Sequence, residues 1–163
     1  SEDLVLTLGA GDITNVGEDC LLQTPGVCKR HKKIVGVLMG GYSSEREVSL
    51  KSGKAVYQAL KEFGSKVVAV DITERNENKI LAQILKEEIE LAFIALHGQL
   101  GEDGIIQTIL EKSGIPYTGS GVEASRLAIN KIDTKILLKN NGIVVPRVIG
   151  DSALSLLWLR ARF

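Results

Sequence analysis

The chain is poorly equipped to cross-link itself, to bind a polyanion or to enter a bilayer. It has two cysteines, Cys20 and Cys28, with no CxxC pattern and no Cys/His cluster around them. That argues against a zinc site and for two reduced bystander thiols. Lysine plus arginine number 20 and aspartate plus glutamate number 20, so the net charge is zero. There is no basic footprint for nucleic acid and no acidic tail. No apolar run approaches the ~20 residues that cross a bilayer. The opening SEDLVLTL lacks the basic start of a signal peptide, so the chain reads as cytoplasmic, with no membrane partner. Aromatics make up only 4%, whereas glycines number 17. Many glycines with few aromatics suit tight strand-to-helix turns better than a β-sandwich. The length of 163 residues supports one real core.

What the chain does have is a regular alternation from Lys33 to Gly150. The β-branched run Ile34–Met39 stops at Gly40-Gly41 and predicts a buried strand. Ser44–Phe63 predicts a helix, opened by a Ser44/Glu47 capping box, with Val48, Val56, Ala59, Leu60 and Phe63 on its inner face. Val67–Val70 predicts a strand closing on Asp71, and Asn78–Glu88 a helix with Ile80, Ile84 and Leu85 inward. Leu91–Leu96 is uniformly apolar, as a strand covered on both faces should be. Helices are expected over Ile105–Lys112, with Asp103 as its cap, and over Val122–Asn130 and Thr134–Asn140. Ile115–Tyr117 is a short extended piece, and Ile143–Val145 begins another strand that Pro146 limits.

Strands alternating with helices predict an α/β fold in three layers, a mostly parallel sheet with crossover helices, Rossmann-like. Ligands of such sheets bind at the carboxyl ends of the strands. The loops Gly40–Glu47 and His97–Gly104 should therefore open on the same edge. The first carries GGYSSEREVSLKSG, where two glutamates are unexpected for simple phosphate binding and suit a cationic group such as a substrate amine. By spacing alone Glu47 completes a cap, and Glu45 either improves the helix start or binds an ammonium. Arg46 reads as solvated surface, paired with neighbouring glutamates. His97 follows a strand end, where a lone histidine is either a structural hydrogen-bonder or a working group. Lys131 alone reads as surface.

Taken in order and at these intervals, GGYSSEREVSLKSG, ALHGQLGEDG and PYTGSGVEASRLAINK closely resemble the N-terminal part of D-alanine–D-alanine ligases, over about Lys32 to Gly150. The resemblance implies an ATP-grasp enzyme of peptidoglycan synthesis whose Rossmann-like part precedes the ATP-grasp domains. ATP, with Mg (or Mn), would activate one D-alanine as an acyl phosphate, which the amine of a second attacks. It implies that Glu45 binds the first D-alanine's ammonium, that His97, with Gly98, lies beside its carboxylate, that Ser49 orients this corner and that Lys131 contacts the nucleotide phosphates. Tyr42 departs from the residues usual after the two glycines, which is peripheral. The family's central and C-terminal domains have no counterpart after Gly150, so the chain is expected to be inactive alone and to hold no cofactor tightly. A homodimer is implied by the resemblance only. Alternatives are a stand-alone amino-acid-binding module, or part of a ligase making D-alanyl-D-lactate or D-alanyl-D-serine.

The ends break the pattern. DLVLTLGAGDI, Asp3 to Ile13, resembles the last strand and turn of UDP-N-acetylmuramate–L-alanine ligases, which implies a fusion. The expected division is 1–31, a preceding ligase's tail plus linker; 32–150, the ligase N-terminal domain; and 151–163, an unassigned tail that reads as an unfinished element or an altered reading frame.

Overall fold

The structure, a computed structural model, describes residues 33–146. The strand-like run near the N-terminus, both cysteines, the resemblance of Asp3–Ile13 and the tail 151–163 lie outside the described residues. Among the described residues three strands form one parallel sheet: β1 (Ile34–Gly40), β2 (Lys66–Ile72) and β3 (Leu91–Ile94), in the order β2-β1-β3. Ile34 pairs with Lys66 and Gly40 with Ile72, while Val35 pairs with Leu91 and Leu38 with Ile94. The extended piece at Tyr117 joins this edge as a single parallel bridge to Ala92, with Ala92 N–H donating to the Pro116 carbonyl at 2.8 Å. Five helices among the described residues connect and cover the strands: α1 (Arg46–Glu62), α2 (Glu77–Lys86), α3 (Ile105–Lys112), α4 (Val122–Ile129) and α5 (Lys131–Asn140).

The period of two in β1 sorts its side chains into two cores. Val35, Val37 and Met39 join Leu60, Phe93 and Ala95 under α1. Leu38 joins Val70, Ile72, Ile80, Ile84, Leu96 and Ile106 under α2 and α3. A sheet buried on both faces needs the continuous apolar runs seen in β1 and β3. Close approach is built in: a Cβ on Gly53 would stand 2.5 Å from the Met39 Cβ, so α1 lies hard against β1. The three-layer α/β reading therefore holds.

Several local expectations are corrected. The inner face of α1 is Ser49, Gly53 and Leu60, with Val56 packed beside them as expected, whereas Val48 and Phe63 are 58% and 56% exposed. A buried serine and a glycine carry that face, and a search for apolar residues passes over both. Leu85 of α2 is 52% exposed, and Leu81 packs on the core beside Ile80 and Ile84. The capping box does not form: Glu45 occupies the N-cap position of α1, with no side-chain cap bond. The turn uses Ser43 instead, whose Oγ accepts from Glu45 N–H at 3.2 Å. Asp103 does not cap α3, because Gly104, at φ +85°, holds that position. Asp103 bridges the loop to the helix, accepting from Leu100 N–H at 2.9 Å and Ile105 N–H at 3.1 Å. Ile143–Val145 is not a strand: among the described residues no strand pairs with it, and Val144 is 96% exposed.

Candidate functional site

The carboxyl ends of β1 and β3 are neighbours, so the loops that leave them meet. Three serines stitch them together. Ser43 Oγ donates to the His97 carbonyl at 2.9 Å. Ser49, fully buried, accepts from Gly40 N–H at 2.9 Å and donates to the Ala95 carbonyl at 2.7 Å. Ser52 Oγ lies 3.0 Å from His97 Nε2. Ser43 and Ser52 were missed by the sequence reading. Their signal, four serines at positions 43, 44, 49 and 52, looks like ordinary helix-start composition.

Glu45 and His97–Gly98 are brought together by this stitching. Gly98 sits at φ +64°, and a Cβ placed on it would collide with Glu45 Oε2. The carboxylate therefore lies directly over the Gly98 backbone, in a spot open only because that residue has no side chain. Among the described residues, no side-chain cation is within ion-pair distance of Glu45. The nearest basic residue in sequence is committed elsewhere. Arg46 makes a two-pronged pair with Asp71, at 2.9 and 2.8 Å, and donates to the carbonyls of Gly41 at 3.1 Å and Ile72 at 3.2 Å. The Asp71 hydrogen bond and charge raise its pKa above the ordinary arginine value, though partial burial opposes this. Arg46 is thus not a surface partner of the neighbouring glutamates, as its position in the sequence suggested. It fixes the glycine turn from which Glu45 projects.

His97 Nδ1 lies 3.7 Å from Glu102 Oε1, and both side chains border a cleft of about 450 Å³. Gln107, Thr118, Ser125 and Ile129 line it further, so it runs from the β3 end to α4. The loop beneath is held in a costly shape. Leu100 is fully buried at φ +79°, a left-handed conformation that non-glycine residues seldom adopt. The Asp103 bond to its N–H and the burial of its side chain hold it there. Lys131 is not part of this assembly. It is the exposed first residue of α5, which packs against α4. No group of three or more metal-ligating side chains occurs among the described residues. No helix among them is long and apolar enough to cross a membrane.

The arrangement can hold a small zwitterion. Glu45 offers a carboxylate to an ammonium, and His97 with the Gly98 backbone, 52 and 53 residues further along the chain, offers polar partners brought next to it by the parallel pairing. Relatives carry the same stretch. The family described as "D-ala D-ala ligase N-terminus" matches residues 34–83 and 74–120. The chain is 58% identical over 113 residues to a D-alanine--D-alanine ligase of Desulforudis audaxviator, covering 69% of this chain and 35% of that protein. It is 54% identical over 113 residues to one of Pseudomonas putida, covering 69% and 34%. Among solved structures, the D-alanine--D-alanine ligase of Bacillus anthracis complexed with ATP superposes with a TM-score of 0.63 at 35% identity, over 71% of this chain and 39% of that one. That of Aeromonas hydrophila gives 0.63 at 28% identity, over 80% and 55%. The chain spans about a third of the length of the curated relatives it matches. By these matches and by its fold, the chain belongs to the D-alanine–D-alanine ligase N-terminal family.

Proposed function

We propose that this chain is the N-terminal substrate-binding part of an ATP-dependent D-alanine–D-alanine ligase that serves peptidoglycan synthesis in the cytoplasm. The observation that carries the reading is the Glu45 carboxylate, without a cationic side-chain partner among the described residues, lying over Gly98 beside His97. A lone carboxylate at a strand-end site favours an ammonium ligand. Glu45 takes the ammonium of the first D-alanine. His97 and Gly98 lie beside its carboxylate, and Ser49 holds the two strand ends at the spacing this requires. ATP with magnesium supplies the activation of the carboxylate when bound by the whole enzyme. This chain offers Lys131 to the phosphates, and one exposed lysine does not by itself make a nucleotide site.

The division into 1–31, 32–150 and 151–163 belongs to the same proposal, as do a homodimer and the fusion origin of the first segment. The family match begins at residue 34, which fits a boundary just before β1. A titration of the isotope-labelled chain with D-alanine, followed by amide shifts, tests the site. Shifts centred on Glu45, His97 and Gly98 are expected. Shifts elsewhere, or none, would remove the assignment. The isolated chain is also expected to show no D-alanine-dependent ATP hydrolysis, and clear turnover would contradict its being a partial site.

A further inference from the structure

Ser52 is half-buried on α1, and its Oγ has three neighbours: the carbonyls of Val48 at 3.0 Å and Ser49 at 3.2 Å, and His97 Nε2 at 3.0 Å. A serine hydroxyl has one hydrogen and two lone pairs. Both carbonyls can only accept, so the hydrogen belongs to the helix in the back-bonding usual for a serine inside one. The lone pairs are left to face the ring. Two acceptors cannot share a 3.0 Å contact favourably, so the ring nitrogen must be the donor. We infer that Ser52 is a positioning residue that fixes His97 as the Nε2–H form and leaves Nδ1 as the atom with which the ring meets a ligand.

Nδ1 is the nitrogen on the Glu102 side, and His97 and Glu102 both border the cleft. Which nitrogen carries the proton is set by the hydrogen bond that the other one makes, so a serine across the ring decides what the cleft side can offer. A neutral ring presents an acceptor there. A doubly protonated ring presents a donor, with Glu102 as its nearest competitor for a substrate carboxylate. Neither form lets Nε2 turn to the ligand without breaking the Ser52 contact. That this matters for D-alanine rests on the placement of His97 beside the substrate proposed above; the state of the ring does not.

Two measurements on the intact chain separate the points. Nitrogen-15 NMR of the imidazoles, with Ser52→Ala and Ser52→Thr beside the wild type, reads the ring. The chain has only two histidines, His31 and His97, and a His31→Gln background leaves one signal set. The expected result is a neutral ring protonated at Nε2, its proton exchanging at least about tenfold slower than in free N-acetylhistidine. Ser52→Ala should abolish that protection and Ser52→Thr, which keeps the hydroxyl, should retain it. A proton on Nδ1, or protection unchanged by Ser52→Ala, would overturn the inference. D-alanine titration of the same variants then tests the use of the ring, with affinity expected to fall several-fold in Ser52→Ala and to recover in Ser52→Thr. Should the wild type bind no D-alanine while the ring behaves as stated, the substrate reading fails and the positioning role stands.

Discussion

Ser49→Ala removes one oxygen from the centre of the molecule, and its cost can be worked from the geometry. The hydroxyl serves a donor and an acceptor on different strands, Gly40 N–H at 2.9 Å and the Ala95 carbonyl at 2.7 Å, in a site with no solvent exposure. A buried polar group left without a partner costs about 1–3 kcal/mol. Two such groups amount to roughly 2–6 kcal/mol, or about 1.5–5.5 kcal/mol after the ~0.5 kcal/mol by which alanine exceeds serine as a helix former. At ~4 °C per kcal/mol for a domain of this size, the midpoint should fall by roughly 6–22 °C. Thermal and urea unfolding followed by circular dichroism measure this, with Ser52→Ala as the control. That control deletes a hydroxyl from the same helix one turn on, where the helix keeps its own hydrogen bonds and only the contact to the part-exposed His97 ring is lost, so its cost should be about 1 kcal/mol. Equal midpoints for the two variants would refute the reasoning, since the buried link between strand ends would then carry no weight.

Gly98→Ala should leave the chain folded and weaken D-alanine binding at least about tenfold, because the new Cβ displaces Glu45 Oε2 and L-residues at φ +64° cost ~1–2 kcal/mol; calorimetric titration checks both affinity and folding. Gly36→Ala brings a Cβ to 2.6 Å from Ile89 Cδ1 and should destabilise by about 1–3 kcal/mol, read by urea unfolding, with no direct effect on the site. The Tyr117 phenol is desolvated and donates to Glu111 Oε1 at 2.7 Å, which pushes its pKa up to about 12 from 10.0. The protonated form is favoured by folding, so this contribution to stability is present below pH 10 and is lost as pH rises towards 12. Ultraviolet titration of the tyrosines should show one late phase, which Glu111→Gln moves earlier.

The layer order was legible because β1 and β3 are continuous apolar runs ending in glycine turns, and turn chemistry at that spacing leaves few topologies. The placement of Glu45 and His97 on one edge of the sheet was legible for the same reason: both stand where parallel strands end. The hidden parts share a different cause. Ser49 and Gly53 face the core, though hydropathy assigns α1's inner face to Val48 and Phe63. Asp71 meets Arg46 across 25 residues, and Ser52 meets His97 across 45; local spacing has no term for such pairs. Leu100 adopts a glycine-like conformation because tertiary burial outweighs its intrinsic preference, which no window of neighbouring residues reports.

The central claim is that Glu45 receives the ammonium of D-alanine in this chain. Isothermal titration of the chain with D-alanine, wild type against Glu45→Ala, tests it most directly. The account predicts a dissociation constant of about 1 mM or tighter, equivalent to roughly −4 kcal/mol, that disappears in Glu45→Ala while the fold is kept. Binding of equal strength in both proteins would contradict it.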